Sequence, residues 1–411
     1  MNYFIKNIHV NNLFHLNNFD IPIANDRYPH LIITGKNGSG KTVLLNALSD
    51  FIDKIKEDQS LYFLQYGEWI KNGELRLNNA QTEEDRAKAE MDLKGIRKSY
   101  DSLYGKINIK FDNVANIINK YQDGNFILAS YKAYRKPEMR EPKNPTKPEY
   151  NKKGKVKDTA TAQFLNFLSD LKIQEALARN EKKIKDADEI SAWFIDFENL
   201  LKQIYQDDNL KLEFNYKDYS FKICTEGKKF KFTEISDGFA AVLDIVADLI
   251  LKMQDDNTLT RNYQKEGIVL IDEIETHLHL ALQKIIMPLL TKVFPNIQFI
   301  ITTHSPFVLS SMPNAVAYDL EHRKVLDDLT EYSYESLAEG YFGVTTPSSY
   351  VEMQFDNFKK LLLKDELSDA DKLELKRLKA DFEKMNEVVS PLIVGEFRQI
   401  AIKNAEKLKD L

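Results

Sequence analysis

The spacing of Gly35, Gly38, Gly40, Lys41 and Thr42 predicts phosphate chemistry. These residues lie in Gly35-Lys36-Asn37-Gly38-Ser39-Gly40-Lys41-Thr42, which fits the pattern G-x-x-x-x-G-K-[ST]. Glycines let the backbone wrap an anion closely, so that successive N–H groups from Asn37 to Thr42 point inward. Lys41 would reach the β- and γ-phosphates as a point charge. Thr42 would place its hydroxyl on Mg²⁺. A second cluster ends the apolar run Gly267-Ile268-Val269-Leu270-Ile271, where Asp272-Glu273 follow. Asp272 would hold the metal, directly or through water, and Glu273 would orient and activate the attacking water. Side chains alternate along a strand, so the chain must bend there for both carboxylates to serve one site. His304, after the apolar Phe299-Ile300-Ile301-Thr302-Thr303, is placed to sense or bind a γ-phosphate. Ser236-Asp237-Gly238 opens a helical stretch, where Ser236 and Gly238 would offer an anion a helix N-terminus. Asp237 would oppose that anion unless it faces away, and taken alone the turn reads first as a Ser-Asp-Gly helix cap.

The elements that must position these groups are legible in outline. An apolar strand, Leu31–Thr34, leads into the glycine loop and a helix leads out to about Lys56. Residues 3–33 read as three strands, Lys106–Phe111 and Phe126–Tyr131 as two more, and Leu210–Phe232 as a three-strand meander turning at Glu226-Gly227. Gln81–Tyr104 suits an exposed helix or a short helical hairpin, and Thr159–Tyr205 is mostly helical. Ala315–Leu320 fits a last strand, and Tyr334–Val344 a helix and glycine turn. Pro391 should start the final helix. His9, His15 and His30 lack metal-ligand spacing and read as surface or sheet residues.

Composition bounds the rest. The chain has 411 residues, 43% hydrophobic and 29% charged, with a net charge of -6, which fits an ordinary globular protein without a global basic field. A single cysteine leaves no disulfide within the chain and suits a reducing compartment. There is no signal-peptide core and no run of about 18 apolar residues, so a cytoplasmic, membrane-free protein is expected. Against the acidic average stands Lys132–Lys157, rich in Lys and Pro. It reads as a solvated loop or as a contact strip for nucleic acid or an acidic partner.

Together the motifs resemble the ABC-type ATPases of the SMC/RecF-like class. The order is phosphate loop, signature turn, Walker B with Asp-Glu, then a switch histidine. The match is nearest to compact stand-alone AAA-like ATPases of prokaryotic anti-phage defence, Septu- or PARIS-like. Ile235-Ser236-Asp237-Gly238-Phe239 looks like their signature, and Thr276-His277-Leu278-His279 looks like their D-loop. Ala129–Arg135 is similar to their strand ending in arginine. The signature is not the Leu-Ser-Gly-Gly-Gln form of transporters. No Q-loop glutamine is evident, and Lys132 or Arg135 stands in that region.

The resemblance implies an α/β fold: an ABC-type P-loop ATPase head with a mixed β-sheet, a helical insertion and a C-terminal helical appendage. Residues 1–135 would form the N-terminal lobe, with a short helical insertion at about 51–105. Residues 136–205 would be a Lys/Pro-rich loop and helical insertion, 206–330 the C-terminal lobe, and 331–411 the appendage. It further implies ATP and Mg²⁺ as ligands. Two protomers would sandwich two ATP molecules, each loop facing the partner's Ser236–Gly238. A homodimer or higher oligomer would then regulate a separate effector, a nuclease or toxin, since no nuclease motif is seen in this chain. The runner-up is a RecF-type repair ATPase that binds DNA directly.

Overall fold

The computed structural model describes residues 5–23, 30–57, 64–135, 138–142, 156–254, 263–326, 329, 336–337, 349–364, 367–385 and 391–404. They fall into two compact units, Met1–Glu331 and Tyr332–Leu411.

The first unit is built on a six-stranded mixed sheet. Its order is β12 (Lys324–Leu326), β11 (Ala315–Asp319), β3 (His30–Thr34), β10 (Ile297–Thr302), β9 (Glu266–Ile271) and β5 (Phe126–Tyr131). The last five in that order run parallel, and only β12 is antiparallel. β3, β5 and β10 are buried along their whole length. Strands covered on both faces read as unbroken apolar runs, which is why they stand out in the sequence. Helix α1 (Lys41–Glu57) places Leu44, Leu48 and Phe51 in one core with Leu31, Ile33, Leu270 and Ile300. Helix α7 (Asp237–Lys252) is buried from Ala240 to Leu251, including Asp244 and Asp248.

A second sheet pairs β1 (Ile5–Leu13) antiparallel with β2 (Leu16–Pro22) and β4 (Ile107–Phe111). The register slips between Ile5 and Asn7, which explains why alternation there is imperfect in the sequence. A third, antiparallel sheet orders β6 (Lys211–Asn215), β7 (Ser220–Thr225) and β8 (Lys228–Lys231). Helices α5 (Phe164–Asn180) and α6 (Ile184–Tyr205) carry an aromatic core. There Trp193 stacks on Phe197 with ring centres 5.3 Å apart. The Gln81–Tyr104 stretch is a single helix, α3 (Glu83–Tyr104), with Thr82 capping it by accepting from Asp85 N, and it pairs with α2 (Tyr66–Asn78). The short α4 (Val114–Gln122) had no clear sequence signal; the remaining two helices of the unit are α8 (Leu280–Val293) and α9 (Pro306–Leu309).

His30 takes the sheet alternative of its reading. It is buried on β3, and its Nδ1 accepts from Phe299 N at 3.0 Å. Burial pushes its pKa down to about 4. The unfolded chain therefore takes up a proton near pH 6.5 that the folded chain refuses until about pH 4. Stability should be unaffected above pH 7 and fall by about 3 kcal/mol as pH drops from 6.5 to 4. His30→Gln, whose amide oxygen can still accept from Phe299 N, should flatten this limb. Chemical unfolding of both proteins across that range checks it.

The second unit has three described helices, α10 (Ser349–Leu362), α11 (Asp369–Glu383) and α12 (Pro391–Lys403). Phe355, Phe358, Phe382 and Phe397 form its core. Pro391 begins α12, as its fixed φ favours. Most of Tyr334–Val344 lies outside the described residues. No helix among the described residues is long and apolar enough to cross a membrane.

Candidate nucleotide and metal site

β3 and β9 flank β10, and all three end at the same edge of the sheet. Loops following the carboxyl ends of parallel strands are the usual ligand site in such sheets. The loop after β3 runs directly into α1 at Lys41. Gly40 has φ +99°, and a Cβ there would sit 2.8 Å from Leu16 Cδ1. Only glycine fits both demands. Lys41 is 5% exposed, and its Nζ donates to Gly35 O at 2.8 Å and Lys36 O at 3.1 Å. The ammonium is thus folded over the loop. Burial lowers its pKa, while Glu273, Glu275, Asp272 and Glu321 pull it back up.

The chain turns sharply after Asp272. Glu273 has φ +41°, a left-handed conformation that costs a non-glycine residue about 1 kcal/mol. Thr302, on β10, fixes both sides of the turn. Its hydroxyl donates to Asp272 Oδ1 at 2.7 Å and accepts from Glu273 N at 2.7 Å. Thr42 Oγ1 lies 3.2 Å from the same Asp272 oxygen. Loop, carboxylate and central strand therefore meet at one point.

Two residues that carried no assignment, or another one, complete the cluster. Glu275 accepts from His304 N at 2.6 Å and from Thr303 Oγ1 at 2.8 Å, so it ties the β9 turn to the start of the His304 segment. Burial raises its pKa despite those bonds. Arg135 is 4% exposed and donates to the carbonyls of Lys132, Asp272, Glu273 and Ile274. Its guanidinium serves backbone carbonyls of its own segment and of the β9 turn. A run of acidic residues and an arginine closing a strand were visible in the sequence, but nothing there says that they meet. His304 has a pKa pushed down by burial and then by Lys41, so its ring is neutral at pH 7.

Ser236 is the N-cap residue of α7, exposed, and its side chain makes no capping bond. Asp237 is also exposed. A Cβ on Gly238 would sit 2.7 Å from His277 O, so the Ser236–Gly238 turn lies tight against the turn at His277. Phe239 stacks on Tyr205 at 4.1 Å and meets His279 edge-on at 5.3 Å.

The residues fit a magnesium nucleotide. Ser39 Oγ is buried without a hydrogen-bond partner, inside a loop shaped to close on an anion. Thr42 and Asp272 offer hard oxygen ligands, which suit Mg²⁺ shared with substrate phosphates. Among the described residues, no group of three or more His, Cys, Asp or Glu could hold a metal unaided.

The family described as "AAA domain, putative AbiEii toxin, Type IV TA system" matches residues 31–310. The chain belongs to that family. It therefore carries an AAA ATPase domain, whose match runs from β3 past His304. Relatives include the Septu protein PtuA of Bacillus mycoides, 31% identical over 176 residues, 41% of this chain and 24% of that protein. The retron Vc95 probable ATPase of Vibrio cholerae is 33% identical over 28% of this chain and 21% of its own length. The retron Ec83 probable ATPase of Escherichia coli is 46% identical over 76 residues, 18% of this chain and 14% of its own length. The AAA chain thus spans under a quarter of the length of these curated relatives. Among solved structures, an Smc head bound to the C-winged helix domain of ScpA aligns over 79% of this chain and 96% of its own. That alignment has 10% identity and a TM-score of 0.36.

Proposed function

We propose that the protein binds and hydrolyses ATP with Mg²⁺ at this site, and that two copies complete each other's sites to control a separate effector in anti-phage defence. The observation that carries the hydrolytic part is the meeting of Thr42, Asp272 and Thr302 within hydrogen-bond reach, beside a Glu273 turned onto the same edge. Backbone N–H groups from Asn37 to Thr42 hold the phosphates, and Lys41 leaves the carbonyls of Gly35 and Lys36 to meet them. Thr42 and Asp272 hold the metal. Bound Mg²⁺ supplies charge that offsets the phosphate oxygens during transfer. Glu273 orients the attacking water and draws off its proton. His304, neutral at pH 7, donates or accepts a hydrogen bond at the γ-phosphate.

The exposed, uncapped Ser236 supports the shared-site reading, because its hydroxyl is left for a group outside the chain. Relatives named Septu and retron proteins support the defence setting. Complementation tests the pairing. Ser236→Ala and Lys41→Met proteins should each be inactive alone. Mixed, they should regain turnover, since one site of each mixed dimer then has both an intact loop and an intact signature. Failure of the mixture to exceed its parts counts against a shared site.

A RecF-type reading retains one observation. Residues 132–157 hold ten Lys and Arg against three Glu in a chain of net charge -6. Most of that strip lies outside the described residues. Duplex-DNA binding that weakens steeply with salt, and is lost on neutralising the strip, separates this reading from the first.

A further inference from the structure

Arg135 lies four residues past the end of β5, which stands three strands from β3 and the phosphate loop, and among the described residues its guanidinium donates to backbone carbonyls. Nη1 donates to Lys132 O and Asp272 O, each at 2.8 Å. Nη2 donates to Glu273 O at 3.2 Å and Ile274 O at 3.0 Å. Three consecutive carbonyls thus converge on one planar group. An extended strand cannot do this, because its carbonyls alternate sides. They converge because Glu273 is left-handed. The arginine and the turn therefore define each other: the strained residue gathers the carbonyls, and the guanidinium holds them gathered. Thr302 grips the same turn through Glu273 N, on the amide side.

The site around Arg135 is dry and acidic. Of the charged groups acting on it, Asp244 on α7 is the strongest, followed by Glu275, Asp272 and Glu273. Asp244 is itself 7% exposed and fixed by Thr161 Oγ1 at 2.8 Å. One turn further along α7, Asp248 accepts from Tyr131 OH at 2.7 Å and from Ala160 N at 2.7 Å. Helix α7 is thereby tied to the last residue of β5, Tyr131, four residues before Arg135.

We propose that Arg135 is a positioning residue for hydrolysis: it locks the 272–274 turn in the conformation that brings the Glu273 carboxylate to the edge of the sheet where Thr302 and Thr42 already hold Asp272. The inference rests on the reading of Glu273 as the group that activates water. Arginine is needed because a single ammonium cannot span four carbonyls.

The test is steady-state ATP turnover of full-length Arg135→Lys, alone and combined with Glu273→Gln, with melting temperatures as the control for folding. A slight misplacement of a catalytic group costs about 10²-fold, so Arg135→Lys should lose about that in kcat with KM within about threefold. The double variant should be no slower than Glu273→Gln, since Arg135 acts through Glu273. A kcat within about twofold of wild type, a parallel loss of ATP binding, or losses that multiply in the double variant would each overturn the inference. If Arg135→Lys does not fold, Arg135→Gln, an uncharged donor, replaces it with the same expected split. The two readings fail separately. If Glu273→Gln keeps native turnover, the base is misassigned. If Glu273→Gln is dead while the Arg135 variants turn over normally, only the positioning role is lost.

Discussion

Glu273→Gln should lose about 10²–10⁴-fold in ATP turnover while ATP binding survives, the range expected when a positioned general base is removed. The amide keeps the size and left-handed backbone of Glu273 but can neither take a proton from water nor hold it with negative charge. The phosphate loop is untouched, because Lys41 and Thr42 bond to the Gly35 and Lys36 carbonyls and to Asp272 rather than to Glu273. Nucleotide therefore stays bound, and if ATP bridges two protomers the variant should accumulate as an ATP-dependent dimer. Phosphate release, equilibrium binding of ATP and native mass with and without ATP read the three parts separately. Turnover at the native rate would remove Glu273 from the mechanism.

Lys41→Met should do the reverse, weakening nucleotide binding with little effect on the fold. A hydrogen bond to a charged group is worth about 1.5–3 kcal/mol, so affinity for ATP should drop about 10–10²-fold. Stability is a different matter. Folding already costs Lys41 much of its hydration, since it is buried, and among the described residues its Nζ bonds return to the carbonyls of its own loop. Methionine fills similar volume without a charge to desolvate. The melting temperature without nucleotide should therefore stay within a few degrees of wild type, while the rise produced by a given ATP concentration shrinks. A large loss of stability in the absence of ATP would mean that the ammonium holds the loop together rather than waiting for phosphate.

Much of the architecture was legible in the sequence because the central strands are buried on both faces. Leu31–Thr34, Gly267–Ile271 and Phe299–Thr302 read as unbroken apolar runs, and each ends in the residue types that the site uses. The meander at 210–232 was legible from Glu226-Gly227, where Gly227 takes φ +73°. α4 was not, since nine residues between two strands give the helical period little room to show. Within the site, the separation in sequence hid the links. Thr302 is thirty residues from Asp272, Arg135 is 137 from it, and Glu275 meets His304 through a backbone amide that no motif records. Motifs report which side chains face the ligand; they are silent on those that face the backbone of the motif.

The stack of Tyr205 on Phe239 has a mechanical consequence. Tyr205 closes a 22-residue helix, and Phe239 follows directly on Gly238, which has no clearance from His277. The C-terminal end of α6 is thus coupled by an aromatic stack to the tightly fitted start of α7. Any displacement of that end would reach Ser236–Phe239 before it reached the Gly35–Thr42 loop.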